Sequence, residues 1–241
     1  MEDTASAEED AMDVRKLKIS NILALIWGEK SDKLYIYVHG KMSCKEYAKS
    51  FAEIARQKGF QTLSFDLIGH GERMDDTRPC DIWNGMESLL AIADYAFQNW
   101  TEVSLFACSL GAYFSLNAYA DKPFKKCLFQ SPIVDMAYLI NQMFLWFNVT
   151  QQQLQQKKEI FTPVDVLRWD YYQYVLAHPI IKWPFPTAVL YAKNDTLQSL
   201  SVIENFVQAH ACTLTVSQSS NHDFMAPKDI PLVAQWLRDN I

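Results

Sequence analysis

Val103-Ser104-Leu105-Phe106-Ala107-Cys108-Ser109-Leu110-Gly111 is an apolar run that ends in a serine flanked, two residues away on either side, by small side chains. A helix-like run, 112–120, follows at once. This is the pattern of a strand that turns sharply into a helix, with a serine hydroxyl held exposed at the turn. Small residues are required at 107 and 111 because the backbone there passes close to itself. Ala107 stands where glycine is more usual, a departure of one methyl group. Such a pentapeptide arises by chance in many chains, so its surroundings decide its meaning.

Outward from that turn, short apolar segments alternate with amphipathic ones. Strands are predicted at 22–27, 34–39, 62–66, 103–107, 126–130, 187–191 and 212–216, and helices at 45–58, 82–97, 110–120, 200–209 and 230–239. The alternation predicts an α/β fold, a mostly parallel central sheet flanked by helices on both faces. The first two strands, joined by the polar connection 28–33, are expected to pair antiparallel at one edge. From 131 to 186 the alternation lapses into helical, aromatic patches at 143–147 and 169–174 around the polar stretch 151–158. This reads as a helical cap inserted in the domain. Pro179, Pro184 and Pro186 return the chain to the sheet.

Composition agrees with one domain. The chain has 241 residues, 49% of them hydrophobic and 21% charged, enough for one large core under an ordinary polar surface. Residues 1–14 are read as an acidic, flexible leader and 15–241 as the domain. Glu2, Asp3, Glu8, Glu9, Asp10 and Asp13 precede any base and account for the whole formal charge of −6. No basic stripe for nucleic acid remains. A signal peptide would need positive charge at this end, and no apolar run of about 18 residues is present to span a bilayer. Cys44, Cys80, Cys108, Cys127 and Cys212 are odd in number and dispersed, which fits a reducing compartment better than a disulfide framework or a zinc site. A cytoplasmic location is the expectation.

In a sheet of this kind ligands bind outside the carboxyl ends of the strands. His39-Gly40-Lys41-Met42, Asp66-Leu67-Ile68-Gly69-His70-Gly71, Ser109, Asp195 and His222 all follow predicted strands. A serine, an acid and a histidine on loops at one edge suit nucleophilic acyl transfer. Taken together and in this order, these motifs resemble an α/β-hydrolase. The chain is similar in particular to cytoplasmic bacterial carboxylesterases of the kind that includes monoglyceride lipases and cinnamoyl esterases.

The resemblance implies that Ser109 is the nucleophile, His222 the general base and then acid, and Asp195 the group that orients the imidazole. It also implies an oxyanion hole made by the backbone N–H groups of Lys41 and Leu110. Alternatives remain at each position. Cys108 is the better intrinsic nucleophile, although counting from it places bulky Leu110 where the turn needs a small residue. Asp135 follows the preceding strand and could replace Asp195, while Asp223 sits too close to His222 to orient it easily. His39 and His70 read as structural, His210 as a helix C-terminus and His178 as exposed. Glu72 and Arg73 read as local loop contacts, with Arg73 also able to attract a carboxylate.

Met42, Cys108, Trp146, Phe147, Trp169 and Tyr172 are the candidates for an apolar substrate wall, against the alternative that they only pack the cap onto the body. No metal or cofactor motif stands out, and the mechanism needs none. The expected partner is a small-molecule ester or acyl compound. Three classes stay open: a serine esterase; a relative acting on an amide, peptide, thioester or C–C bond; and a binding protein that has lost catalysis.

Overall fold

The computed structural model describes residues 12–241, so five of the six acids of the expected leader lie outside the described residues. The chain opens with β1 (Val14–Ile19), β2 (Ile22–Trp27) and β3 (Lys33–Val38), followed by a 3-10 turn and α1 (Lys49–Gln57). Next come β4 (Gln61–Phe65), α2 (Ile82–Asn99), β5 (Glu102–Cys108), α3 (Leu110–Ala118) and β6 (Cys127–Gln130). Between β6 and the next sheet strand lie α4 (Met136–Trp146), α5 (Gln151–Lys157), β7 (Glu159–Phe161), β8 (Val166–Arg168) and α6 (Trp169–Ala177). The chain ends with β9 (Thr187–Ala192), α7 (Leu200–Ala209), β10 (Thr213–Ser217) and α8 (Asp229–Asn240).

Eight strands form the main sheet in the order β1-β2-β4-β3-β5-β6-β9-β10, and the six from β4 onward run parallel. Period-two alternation explains why both faces are covered. Leu34, Ile36 and Val38 of β3 point into a core shared with α2, α3 and α7, whereas Tyr35 and Tyr37 point to the opposite face, under α1 and α8. Helices α2 and α3 approach closely: a Cβ on Gly85 would fall 2.6 Å from the ring of the fully buried Phe114. A buried phenylalanine of this kind contributes about 1.5–3 kcal/mol relative to an exposed one.

Two expectations need correction. Strand β2 does not pair with β3; it pairs antiparallel with β1, from Val14↔Trp27 to Ile19↔Ile22, and with β4 through Ala24↔Phe65. The β1–β2 hairpin closes on Ser20 and Asn21, both at positive φ (44° and 69°), the two-residue geometry that matches the twist of paired strands. Strand β3, apolar on both faces, goes to the interior between β4 and β5. β1 itself is not signalled by alternation because its basic residues Arg15, Lys16 and Lys18 fall on both faces, as befits an exposed edge strand.

The second correction lies between β6 and β9. The helical patches are there as α4 and α6, and the polar stretch is α5, started by a Thr150–Gln153 capping box. The short antiparallel ribbon β7–β8, however, was not expected. Its strands are three residues each, too short for alternation to register. Among the described residues no helix is long and apolar enough to cross a membrane.

Candidate active site

Ser109 occupies the step from β5 into α3, at φ 49° and ψ −118°, a conformation that costs a non-glycine residue free energy. The surrounding packing enforces it. A Cβ on Gly111 would lie 2.3 Å from the carbonyl oxygen of His39, and one on Gly40 would lie 3.1 Å from the Cβ of Ser109. The turn after β5 and the loop after β3 are thus pressed together at two points, with room for hydrogen alone at Gly111 and a tight fit at Gly40. Ala107 is fully buried.

The geometry joins three sequence candidates. His222 Nε2 lies 2.8 Å from Ser109 Oγ, and His222 Nδ1 lies 2.6 Å from Asp195 Oδ2. The carboxylate can only accept, so Nδ1–H donates to it and Nε2 is left to accept from the serine hydroxyl. The Asp195 side chain is fully buried and its Oδ1 accepts from the backbone N–H of Leu197 at 2.8 Å. The histidine side chain keeps about a fifth of its surface exposed.

The competing assignments are otherwise engaged. Asp135 caps α4 by accepting from the N–H of Tyr138 at 2.8 Å, and Asp223 closes a turn by accepting from Met225 N–H at 3.2 Å. Cys108 lies on the other side of the strand, packed toward α1 and α8, and burial pushes its thiol up to about 12. A thiol in that state is protonated near neutrality and a poor nucleophile.

His39 is buried and neutral: its Nδ1–H donates to Gly40 O at 2.7 Å while Nε2 accepts from Leu67 N–H at 3.0 Å, and burial lowers its pKa to about 4. His70 bonds the carbonyl of Ile68 at 2.8 Å. His178 is exposed and stacked on Tyr174, and His210 ends α7 beside Phe206, with burial lowering its pKa. Arg73 donates to Asp66 O and Ser88 Oγ, at 3.0 and 3.1 Å, and Glu72 pairs with Lys45 at 3.3 Å, so both make local contacts.

The backbone N–H groups of Lys41 and Leu110 have no acceptor among the described residues. Leu110 is the first residue of α3, where the helix leaves its N–H groups unsatisfied. The Lys41 side chain reaches away to the β7–β8 turn, donating to Val164 O at 3.0 Å and pairing with Asp165. Met42 is 91% exposed, at φ 62°. Tyr172 is buried, with its hydroxyl on Asn141 and its ring beside Phe144 and Trp169, whereas Trp146 is 43% exposed with Phe147 edge-on to it.

Three placements around the candidate site escaped sequence reasoning. A buried ion pair, Lys45 Nζ to Asp66 Oδ2 at 2.7 Å, ties the loop after β3 to the loop after β4. Desolvation pulls the ammonium down, but its hydrogen bonds to Asp66 and Glu46 outweigh this and hold it above the ordinary lysine range. Gln198 is fully buried, its Oε1 accepting from the N–H groups of Val134 and Asp135 and its Nε2 donating to Asp135 O. Ser131 Oγ donates to the carbonyl oxygen of His222 at 2.6 Å. Each is a contact between residues far apart in the chain, which composition and spacing do not signal.

Solved structures share this arrangement of elements. Est1E from Butyrivibrio proteoclasticus with ferulic acid bound superposes with a TM-score of 0.75 over 93% of this chain and 96% of its own, at 17% identity. The chain has the α/β-hydrolase fold. Mouse alpha/beta hydrolase domain-containing protein 10 gives a TM-score of 0.75 over 94% and 97% of the two chains at 15% identity. The esterase Pf2001 from Pyrococcus furiosus gives 0.66 over 95% and 89% at 14% identity. No family model matches the sequence, and no curated protein matches it either. Within the α/β-hydrolase fold, Ser109 sits at the strand-to-helix elbow and His222 and Asp195 on later loops at the same sheet edge.

Proposed function

We propose that the protein is a serine hydrolase that cleaves a small carboxylic ester through an acyl-enzyme intermediate. The observation that carries this reading is the continuous hydrogen-bonded line Ser109 Oγ, His222 Nε2, His222 Nδ1, Asp195 Oδ2, at 2.8 and 2.6 Å, on a strained elbow. In this reading Ser109 Oγ attacks the ester carbonyl carbon while its proton passes to His222 Nε2. Asp195 stabilises the imidazolium so formed. The oxyanion accepts from the backbone N–H groups of Lys41 and Leu110, whose orientation is set before substrate arrives. Collapse expels the alcohol, which takes the proton from Nε2; a water then repeats the sequence on the acyl-serine and frees the acid.

The segment 131–186 serves as a cap over the site, with Met42, Trp146, Phe147, Trp169 and Tyr172 as candidates for the acyl or aryl wall; Cys108, packed toward α1 and α8, is removed from that set. Five unpaired cysteines support a reducing, cytoplasmic setting. The test is labelling of Ser109 by a fluorophosphonate, located by peptide mapping, followed by a panel of p-nitrophenyl, glyceryl, feruloyl and aminoacyl substrates. Absence of both labelling and turnover on every ester would refute the reading.

A further inference from the structure

The five residues after β6 touch the backbone or support of all three members of the hydrogen-bonded line. Ser131 Oγ donates to His222 O at 2.6 Å, Ile133 N–H donates to Ser109 O at 3.2 Å, and the N–H groups of Val134 and Asp135 donate to Gln198 Oε1 at 3.1 and 2.9 Å. Gln198 in turn adjoins Leu197, whose N–H holds Asp195 Oδ1. One short segment therefore fixes the serine turn, the histidine loop and the acid loop relative to each other, and it leads directly into α4.

We propose that Ser131 is a positioning residue for His222, acting through the histidine's carbonyl oxygen; this rests on the catalytic reading of His222 above. The loop that carries His222 is fixed on either side of the histidine: Ser220 is buried, its carbonyl oxygen accepting from Asn194 N–H at 3.2 Å and its Oγ donating to Asp229 at 2.6 Å, and Phe224 N–H closes a turn on Asn221 O. At residue 222 itself, the main-chain contact among the described residues is the one from the Ser131 hydroxyl. Ser131 is itself rigidly placed: fully buried, at φ 43°, with its N–H donating to Leu190 O at 2.8 Å. Positive φ makes serine a costly choice where glycine would be free, so the hydroxyl is the feature that distinguishes the residue present from the residue the backbone would favour. A hydroxyl anchored on β6 and aimed at the His222 carbonyl limits how far the ring swings from the line between Ser109 and Asp195.

The experiment uses that backbone preference. Ser131→Gly removes the hydroxyl and relieves φ, so folding is retained; Ser131→Ala removes the hydroxyl and keeps the strain, and is read beside it. The first readout is the strongly deshielded proton on His222 Nδ1, observed by NMR, which reports the bond to Asp195 without requiring turnover. The second is steady-state kinetics on any ester that the wild type hydrolyses. Expected in both variants are a broadened or lost Nδ1 resonance and a kcat lower by roughly tenfold to a hundredfold, with KM changed less than about twofold. A folded Ser131→Gly variant with the wild-type resonance and kcat would overturn the proposal. If the wild type hydrolyses nothing but its Nδ1 resonance is lost in the variants, the hydrolase reading fails while the positioning role stands.

Discussion

Ser109 and His222 are 113 residues apart in the chain and 2.8 Å apart in space. What brings them together is the parallel sheet: β5 and β10 end at the same edge, and each hands its chain to a loop there. The packing of Gly40 and Gly111 against the elbow then fixes the direction in which the serine hydroxyl leaves the backbone.

Ser109→Ala is expected to lower turnover by at least about a thousandfold while the fold survives, because serine, histidine and acid act as a unit and only binding and oxyanion stabilisation would remain. Cys108→Ala should change turnover little, since its buried thiol packs toward the opposite face of the sheet. Kinetics on one verified ester, with circular dichroism as the folding control, decide it. Near-normal turnover in the serine variant would transfer the nucleophile's role elsewhere.

Asp195→Asn should cost orders of magnitude in kcat, since an amide neither favours the productive imidazole tautomer nor stabilises the imidazolium. Asp135→Asn keeps a side-chain oxygen that can cap α4, so it is expected to change stability little and to have a small effect on kcat. Measured side by side in folded protein, the opposite ranking would move the acid to Asp135.

The site was more legible than the topology around it. Ser109, Asp195 and His222 each follow an apolar run, and their chemistry limits the residue types that can stand there, so local sequence carries the signal. Strand neighbours are set by contacts between distant segments. The choice of β4 over β3 as the partner of β2 depends on which strand can be buried on both faces. β1 was obscured by its exposed Arg15, Lys16 and Lys18, and Gln198 and Ser131 acquire their placement only when β6, β9 and the histidine loop converge.

Stability should fall on acidification through His39. Burial lowers its pKa from 6.5 to about 4, so between those values the unfolded chain binds a proton that the folded one excludes. The contribution is fully present above about pH 6.5, is lost progressively as pH falls toward 4, and levels off below; its ceiling is about 3 kcal/mol. Urea unfolding of the wild type and His39→Gln at pH 7, 5.5 and 4.5 measures it. The variant should start less stable at pH 7 and lose less on acidification; parallel pH profiles would show that His39 is not the titrating group.

Trp146, at the last position of α4 and 43% exposed, separates substrate selection from packing more cleanly than the other aromatic candidates. It is nevertheless more than half buried, so Trp146→Ala is expected to lower the melting temperature by a few degrees while the fold survives. If its ring forms part of the acyl or aryl wall, the ratio of kcat/KM for feruloyl over short alkyl esters should shift by about threefold to tenfold, the range that lost apolar contact produces. Tyr172→Phe is the contrasting variant. It loses the hydrogen bond to Asn141, at a cost of about 1 kcal/mol, but keeps the ring's packing against Phe144 and Trp169. The ester ratio should therefore stay at the wild-type value in Tyr172→Phe despite its lost stability, and should move in Trp146→Ala. Identical ester ratios in wild type and Trp146→Ala would assign that ring to the cover of the cap and exclude it from selection.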